Sequence, residues 1–326
     1  MRMSARHSRR PQRGAALLLA MLTVALVATI SAAAYWQQWR SLQFELTARQ
    51  RSQSALLLDG ALAWARLILR EDVRASSVDH LAEPWAVPLQ ETRLSSFLAA
   101  SQSQADDITL EALLSGQISD EQGKLNLRNL VETVNEKTQL AAAEHLSFDK
   151  LFKALGLPGS ELQRLEQGLL AAYAPASGSS TDAPLRPQRY EQLAWLGVSR
   201  QTLLKLAPHA TWLPEATALN LNTASALALY ASLPSLELAQ AQAVAAARSR
   251  SHFNAITELR DLAPETGGQL SPARHSVTSR YFRVRGLLRL EGATLEANAL
   301  VVRDGIRVGL LWRYHGGLQR QIQALQ

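Results

Sequence analysis

Residues Ala15 to Tyr35 carry no charge and consist mainly of Ala, Leu, Val, Ile and Met. As a helix, this run reaches across the roughly 30 Å of hydrocarbon in a bilayer. Arg2, Arg6, Arg9, Arg10 and Arg13 precede it, and the first acidic residue is Glu45. The positive-inside rule keeps this leader in the cytoplasm and places everything after Trp36 on the outer side. Trp36 and Trp39 then stand where an aromatic belt is expected. Ala32 and Ala34 also offer a small-x-small signal-peptidase site, but the pattern beyond them argues against cleavage there. Leu42, Leu46, Gln53, Leu56, Leu57, Ala61, Trp64, Leu67 and Ile68 recur every three or four residues, with no Gly or Pro before Gly60. The spacing predicts one helix from Ala15 to about Asp72, about 87 Å long at 1.5 Å per residue.

The formal charge of +6 comes largely from the arginine leader, so the basic balance argues little for nucleic acid. Cysteine is absent, which removes disulfides and thiolate metal sites. At 326 residues the chain has room for two folded units beyond the membrane segment. Pro84, Trp85 and Pro88 break the helical period and predict a loop. Residues Ile108 to Ile118, then Asp120-Glu121-Gln122-Gly123 and Lys124-Leu125-Asn126-Leu127, read as a hairpin. From Leu130 to about Leu262 the spacing turns helical, with Gly156-Leu157-Pro158-Gly159 separating two helices and Ala174 to Pro187 reading as a loop. Strands return with Phe282, Val284, Gly286, Leu288 and Leu290 on one face. Leu295, Ala297, Ala299 and Val301 repeat that pattern, and Arg303-Asp304-Gly305 turns into Ile306, Val308, Leu310, Trp312 and Tyr314. Strands, a helical block and strands again describe an insertion into one α/β domain.

A basic leader ending in Gln12-Arg13-Gly14 before an apolar run resembles the prepilin class, in which a peptidase cuts after the glycine. Arg13-Gly14-Ala15-Ala16-Leu17-Leu18-Leu19, Asp120 through Leu130, Asn220-Leu221-Asn222-Thr223-Ala224 and Ser279-Arg280-Tyr281-Phe282 resemble, in order, blocks of the K-type minor pseudopilins of type II secretion. The resemblance implies an α+β fold: a long N-terminal helix packed on an antiparallel sheet, pilin-like, with a large inserted all-α domain. It divides the chain into a leader (1–14), a transmembrane and rod helix (15–72), a first pilin-like part (73–130), the insert (131–275) and C-terminal strands (276–326). It implies cleavage between Gly14 and Ala15 by prepilin peptidase, N-methylation of Ala15, and a single-pass inner-membrane protein with a periplasmic C-terminal domain. It implies as partners the I- and J-type minor pseudopilins, the major pseudopilin and the inner-membrane secretion platform, with a place at the pseudopilus tip. Major pilins carry a glutamate five residues into the mature chain, and here that position is Leu19, consistent with a first subunit that needs no neighbour's amine above it.

The family's helical domain is associated with calcium, which takes several oxygen ligands. In the matching stretch, Gly168 to Tyr190, Tyr173-Ala174-Pro175-Ala176-Ser177 replaces the expected acidic residues. Asp182 and Glu191 are the remaining weak candidates, so no cofactor is expected there. Asn220 to Ala224, Leu233-Pro234-Ser235-Leu236, Arg248 and Phe253 resemble a helix-hairpin-helix module, the basis of an alternative reading as a membrane-anchored DNA-binding protein. Ser235 and Glu237 stand where that module's glycines would expose amides to phosphate, so Arg248 and Arg250 are expected to be solvated and no nucleic acid to be bound. A type IV minor pilin is a further alternative. The sequence contains no His-Glu-x-x-His, Gly-x-Ser-x-Gly or phosphate loop. Asp106-Asp107 and Glu144-His145 read as surface charge, and no enzyme activity is expected.

Overall fold

The structure is a computed structural model that describes residues 13–96, 112–174, 184–290, 292–316 and 319–320. They fall into two compact units, Met1–Ser54 and Ala55–Gln326.

The first unit is the N-terminal part of α1, a helix that runs without a break over Arg13–Ala75. Leu17, Leu18, Met21, Leu22, Val24, Val27 and Ile30 are all exposed, and the helix is long and apolar enough to cross a membrane. Within the apolar run the Thr23 and Thr29 hydroxyls donate to the carbonyls of Ala20 and Leu26 at 2.9 and 2.8 Å. In lipid this satisfies groups that would otherwise be costly to leave unpaired.

The second unit starts with the last turns of α1. They bury Leu58, Ala65 and Leu69, with Leu62 and Ile68 beside them. The face expected from periodicity included Leu56 and Trp64, but these are 71% and 37% exposed. The row that packs is set by the partner surface. At Gly286 an added Cβ would stand 3.0 Å from a Leu58 methyl, so the missing side chain admits the helix.

That surface is an antiparallel sheet. Its strands are β1 (Leu89–Arg93), β2 (Ala112–Asp120), β9 (Tyr281–Leu290), β10 (Ala293–Asp304) and β11 (Arg307–His315) in spatial order, with β12 (Gln319–Arg320) against β10. Between them in sequence lie the short strands β3 (Leu125–Asn126), β4 (Val131–Val134), β5 (Lys137–Leu140), β6 (Ala210–Thr211), β7 (Leu219–Asn220) and β8 (His275–Ser276). Ile118, Phe282, Val284 and Val301 pack with Ala65, Leu69 and Trp85 of the helix side. The β10–β11 turn forms at Gly305, whose φ of +53° favours glycine.

β2 and β9 are direct neighbours, with Asp120 opposite Phe282, although everything from Glu121 to Arg280 lies between them in sequence. The insertion expected from the strand–helix–strand order therefore opens at the end of β2. The hairpin expected at Asp120 to Leu127 does not form. Glu121–Gly123 makes a single 3-10 turn, and β3 pairs in parallel with β6 rather than folding back. Sequence alternation located the strand but could not name its partner.

The insert packs α2 (Ala142–Ala154), α3 (Gly159–Tyr173), α4 (Arg200–Leu206), α5 (Ala226–Ser232), α6 (Leu238–Arg248) and α7 (Leu259–Leu262) around one apolar core. Phe148, Leu151, Phe152, Leu165, Leu169, Leu206, Leu229 and Leu236 belong to that core. It is mainly helical but also holds the pairs β3–β6, β4–β5 and β7–β8.

Candidate functional site

Three sequence blocks that are far apart in the chain meet where the insert leaves and rejoins the sheet. Asp120, at the end of β2, caps the following turn by accepting from the Gln122 N–H at 2.7 Å. Its other carboxylate oxygen accepts from Asn220 Nδ2 at 3.1 Å, Ser279 Oγ at 2.6 Å and the Thr223 hydroxyl. Asn220 also donates to the Asp79 carbonyl at 3.2 Å and to Ser279 Oγ at 2.9 Å. Gln122 donates to the Ala218 carbonyl at 3.1 Å and accepts from the Arg280 N–H at 2.7 Å. Gly123 is required for this approach, since a Cβ there would lie 2.8 Å from Thr223 Oγ1.

Further charged groups flank this network. Glu121 is fully buried between Arg283, at 2.9 Å, and Lys124, at 3.1 Å. Burial pushes its pKa up, but Lys124 and Arg283 outweigh that and hold it below the ordinary carboxylate value. Burial raises Asp120 to about 6, against the pull of its hydroxyl and amide donors. On the helix side Arg303 of β10 pairs with Asp72 of α1 at 2.9 Å, pairs with Asp79, and donates to the Ser279 carbonyl at 2.9 Å. Burial raises the pKa of Asp79, although Arg303 opposes it. The arrangement joins the C-terminal end of α1, the sheet and both ends of the insert, and buried charges of this kind are costly to separate.

The sequence-predicted site residues lie elsewhere. Gly14 and Ala15 are in the first turn of α1, and Leu19 follows them, 65% exposed. Asp182 falls outside the described residues, and Glu191 is exposed on a 3-10 turn, Tyr190–Leu196. Among the described residues around the stretch where the family's calcium would lie, cations are present. Arg128 and Arg186 lie 4.2 and 4.9 Å from the Tyr173 ring, and Arg186 Nε donates to the Ala172 carbonyl at 3.0 Å. These described residues do not fit a bound calcium ion.

Two surface assignments are corrected. Arg248 is buried and donates to the carbonyls of Leu221 and Ala224, because the short α6 turns it toward the Asn220 block; Arg250 is exposed as expected. Glu144 is buried against Arg274 at 2.7 Å, and His145 lies 2.6 Å from Glu166. The hairpin amides are already engaged, with Ser235 N–H donating to Gln269 and Glu237 N–H to Gln240. Asp106 and Asp107 fall outside the described residues. Asp79, Glu83 and Arg303 were missed as partners. Their signal was faint: isolated polar residues in the segments on either side of the predicted insertion.

Residues 219–278, which hold Asn220 and Thr223 and end beside Ser279, match the family described as Type II secretion system (T2SS), protein K. The chain is 28% identical over 309 residues to type II secretion system protein K of Pseudomonas aeruginosa, covering 85% of this chain and 84% of that protein. The chain is similar to the K-type minor pseudopilins along most of its length. Its fold is similar to that of a chain in the crystal structure of the GspK-GspI-GspJ complex from the enterotoxigenic Escherichia coli type 2 secretion system. That similarity has a TM-score of 0.60 at 17% identity and covers 84% of this chain and 99% of the other. The K-type blocks quoted from the sequence, Asp120 to Leu130, Asn220 to Ala224 and Ser279 to Phe282, are the ones whose side chains build the junction.

Proposed function

We propose that the chain acts as a K-type minor pseudopilin, occupying the tip of the pseudopilus and starting its assembly together with I- and J-type minor pseudopilins, in the export of folded proteins across the outer membrane. The observation that carries this reading is the buried junction. Asp120, Asn220 and Ser279 fix the insert to the sheet, and Arg303 fixes the sheet to the end of α1. An insert held this firmly obstructs a further subunit at that end, whereas one on a loose tether could swing aside. The complex named for the similar Escherichia coli structure supports I- and J-type partners here.

In this reading prepilin peptidase cuts between Gly14 and Ala15, Ala15 is methylated, and the apolar helix is retained as a single-pass inner-membrane anchor with the rest of the chain in the periplasm. The major pseudopilin and the inner-membrane platform then take over elongation, and the chain itself acts structurally, without catalysis. Mass spectrometry of the mature protein tests the first step: a methylated N-terminus at Ala15 is expected, and one near Tyr35 would contradict the reading. Co-purification from membranes tests the partnership. The I- and J-type subunits should accompany the intact chain in fixed proportion, and their absence under conditions that preserve the pseudopilus would contradict it.

A further inference from the structure

Beside the junction, Asp72, Asp79 and Glu83 are all buried and bring one carboxylate oxygen each to within 4.8 Å of one another. Arg303 is the guanidinium that pairs with two of them. Three carboxylates against one cation leave two negative charges without compensation, an expensive state in a low-dielectric interior. Asp120, the next buried carboxylate, is met by neutral donors and brings no positive charge. His80 does not pair with them either: its Nε2 is 3.9 Å from Glu83, too far for a hydrogen bond. Glu83 itself is only 5% exposed. One of its oxygens accepts from the His80 N–H at 2.9 Å and from Trp85 Nε1 at 2.7 Å. The other, Oε1, is buried with no hydrogen-bond partner.

We propose that Asp72, Asp79 and Glu83 form a binding site for a hard divalent cation of the calcium class. The donors are all oxygens, and their spacing fits within the about 5 Å that separates two oxygens on opposite sides of one calcium ion. A divalent charge matches the deficit, and the unpartnered Glu83 oxygen gains a ligand. A cavity of about 540 Å³ bordered by Asp79, Ser279 and Arg303 gives access. The ion would tie the end of α1 to the segment that follows it. This site is separate from the loop around Glu191 and does not depend on the tip assignment.

The test uses the full chain in detergent, stripped with a chelator and titrated with terbium. Terbium takes calcium sites and emits when a nearby indole transfers its excitation, and Trp85 touches Glu83. Saturable sensitised emission displaced by calcium is expected, with a calcium-dependent rise in Tm. Glu83→Gln and Asp72→Asn should each weaken binding by roughly tenfold or more and abolish the rise in Tm, while Glu191→Gln changes neither. Circular dichroism establishes that the variants fold; if one does not, the wild-type arms still decide. Wild-type protein with neither saturable emission nor a calcium-dependent Tm would overturn the proposal, as would undiminished binding by folded Glu83→Gln. A wild-type chain without a calcium response, together with a Glu83→Gln chain of higher Tm with or without calcium, would assign neutralisation to a proton and also overturn it.

Discussion

Asn220 holds the junction with one amide, donating to the Asp79 carbonyl, the Asp120 carboxylate and the Ser279 hydroxyl. Asn220→Ala leaves these buried acceptors short of a donor and should cost about 2–4 kcal/mol in chemical denaturation. A loss below about 0.5 kcal/mol would be that of an ordinary surface position. His275, buried on β8 beside the β7 strand, gives a pH dependence. Burial, with the nearby Arg274 charge adding to it, pushes its pKa down to about 4. The unfolded chain therefore holds more protons at this residue between about 4 and its ordinary value of about 6.5, and stability present above that window is lost as pH falls through it. Asp120 works in the opposite direction. Its pKa is raised, so its contribution is present below the ordinary carboxylate value and is lost as pH rises through about 6. His275→Leu removes the first effect and keeps the second, so it should lose less stability than wild type between pH 7 and pH 5. An equal loss in both proteins would contradict this. Little of this chemistry was legible in advance. Arg303 was read as the start of a turn because Asp72 and Asp79 lie 231 and 224 positions away in the chain.

At the scale of elements the sequence was a better guide wherever one local pattern decided the outcome. Gly156 to Gly159 separates α2 from α3 as expected, and Asp304-Gly305 makes the β10–β11 turn. Local pattern failed where a distant partner decided. Asp120 to Gly123 has good turn chemistry, yet the neighbour of β2 is β9, and β3 is drawn instead to β6. The same limit explains the helix face, since a sheet glycine selected Leu58 over Leu56. Gly286→Ala meets only the end of a flexible leucine and should be mild. Gly286→Val forces α1 or its leucine away and should cost about 1–3 kcal/mol, read as a fall in thermal or denaturant midpoint. A valine variant as stable as wild type would show that the close approach is not required.

For the molecule as a whole, the succession of strands, helices and strands announced an insertion, and the basic leader before an uncharged run announced a membrane anchor. Neither showed that the insert is pinned by a polar network, because polar residues in a sequence look alike whether they are solvated or buried in a junction. Leu19 belongs to this scale, since in the proposed function it bears on the order of assembly. Leu19→Glu should give no gain in pseudopilus assembly and can lower it by placing an unpaired carboxylate among anchors; more pseudopili per cell would count against a first-subunit role. The most direct measurement is immunolabelling of the full-length wild-type chain on sheared pseudopili. Label confined to one end of each fibre is the predicted result, and label spread evenly along the shaft would contradict the tip assignment.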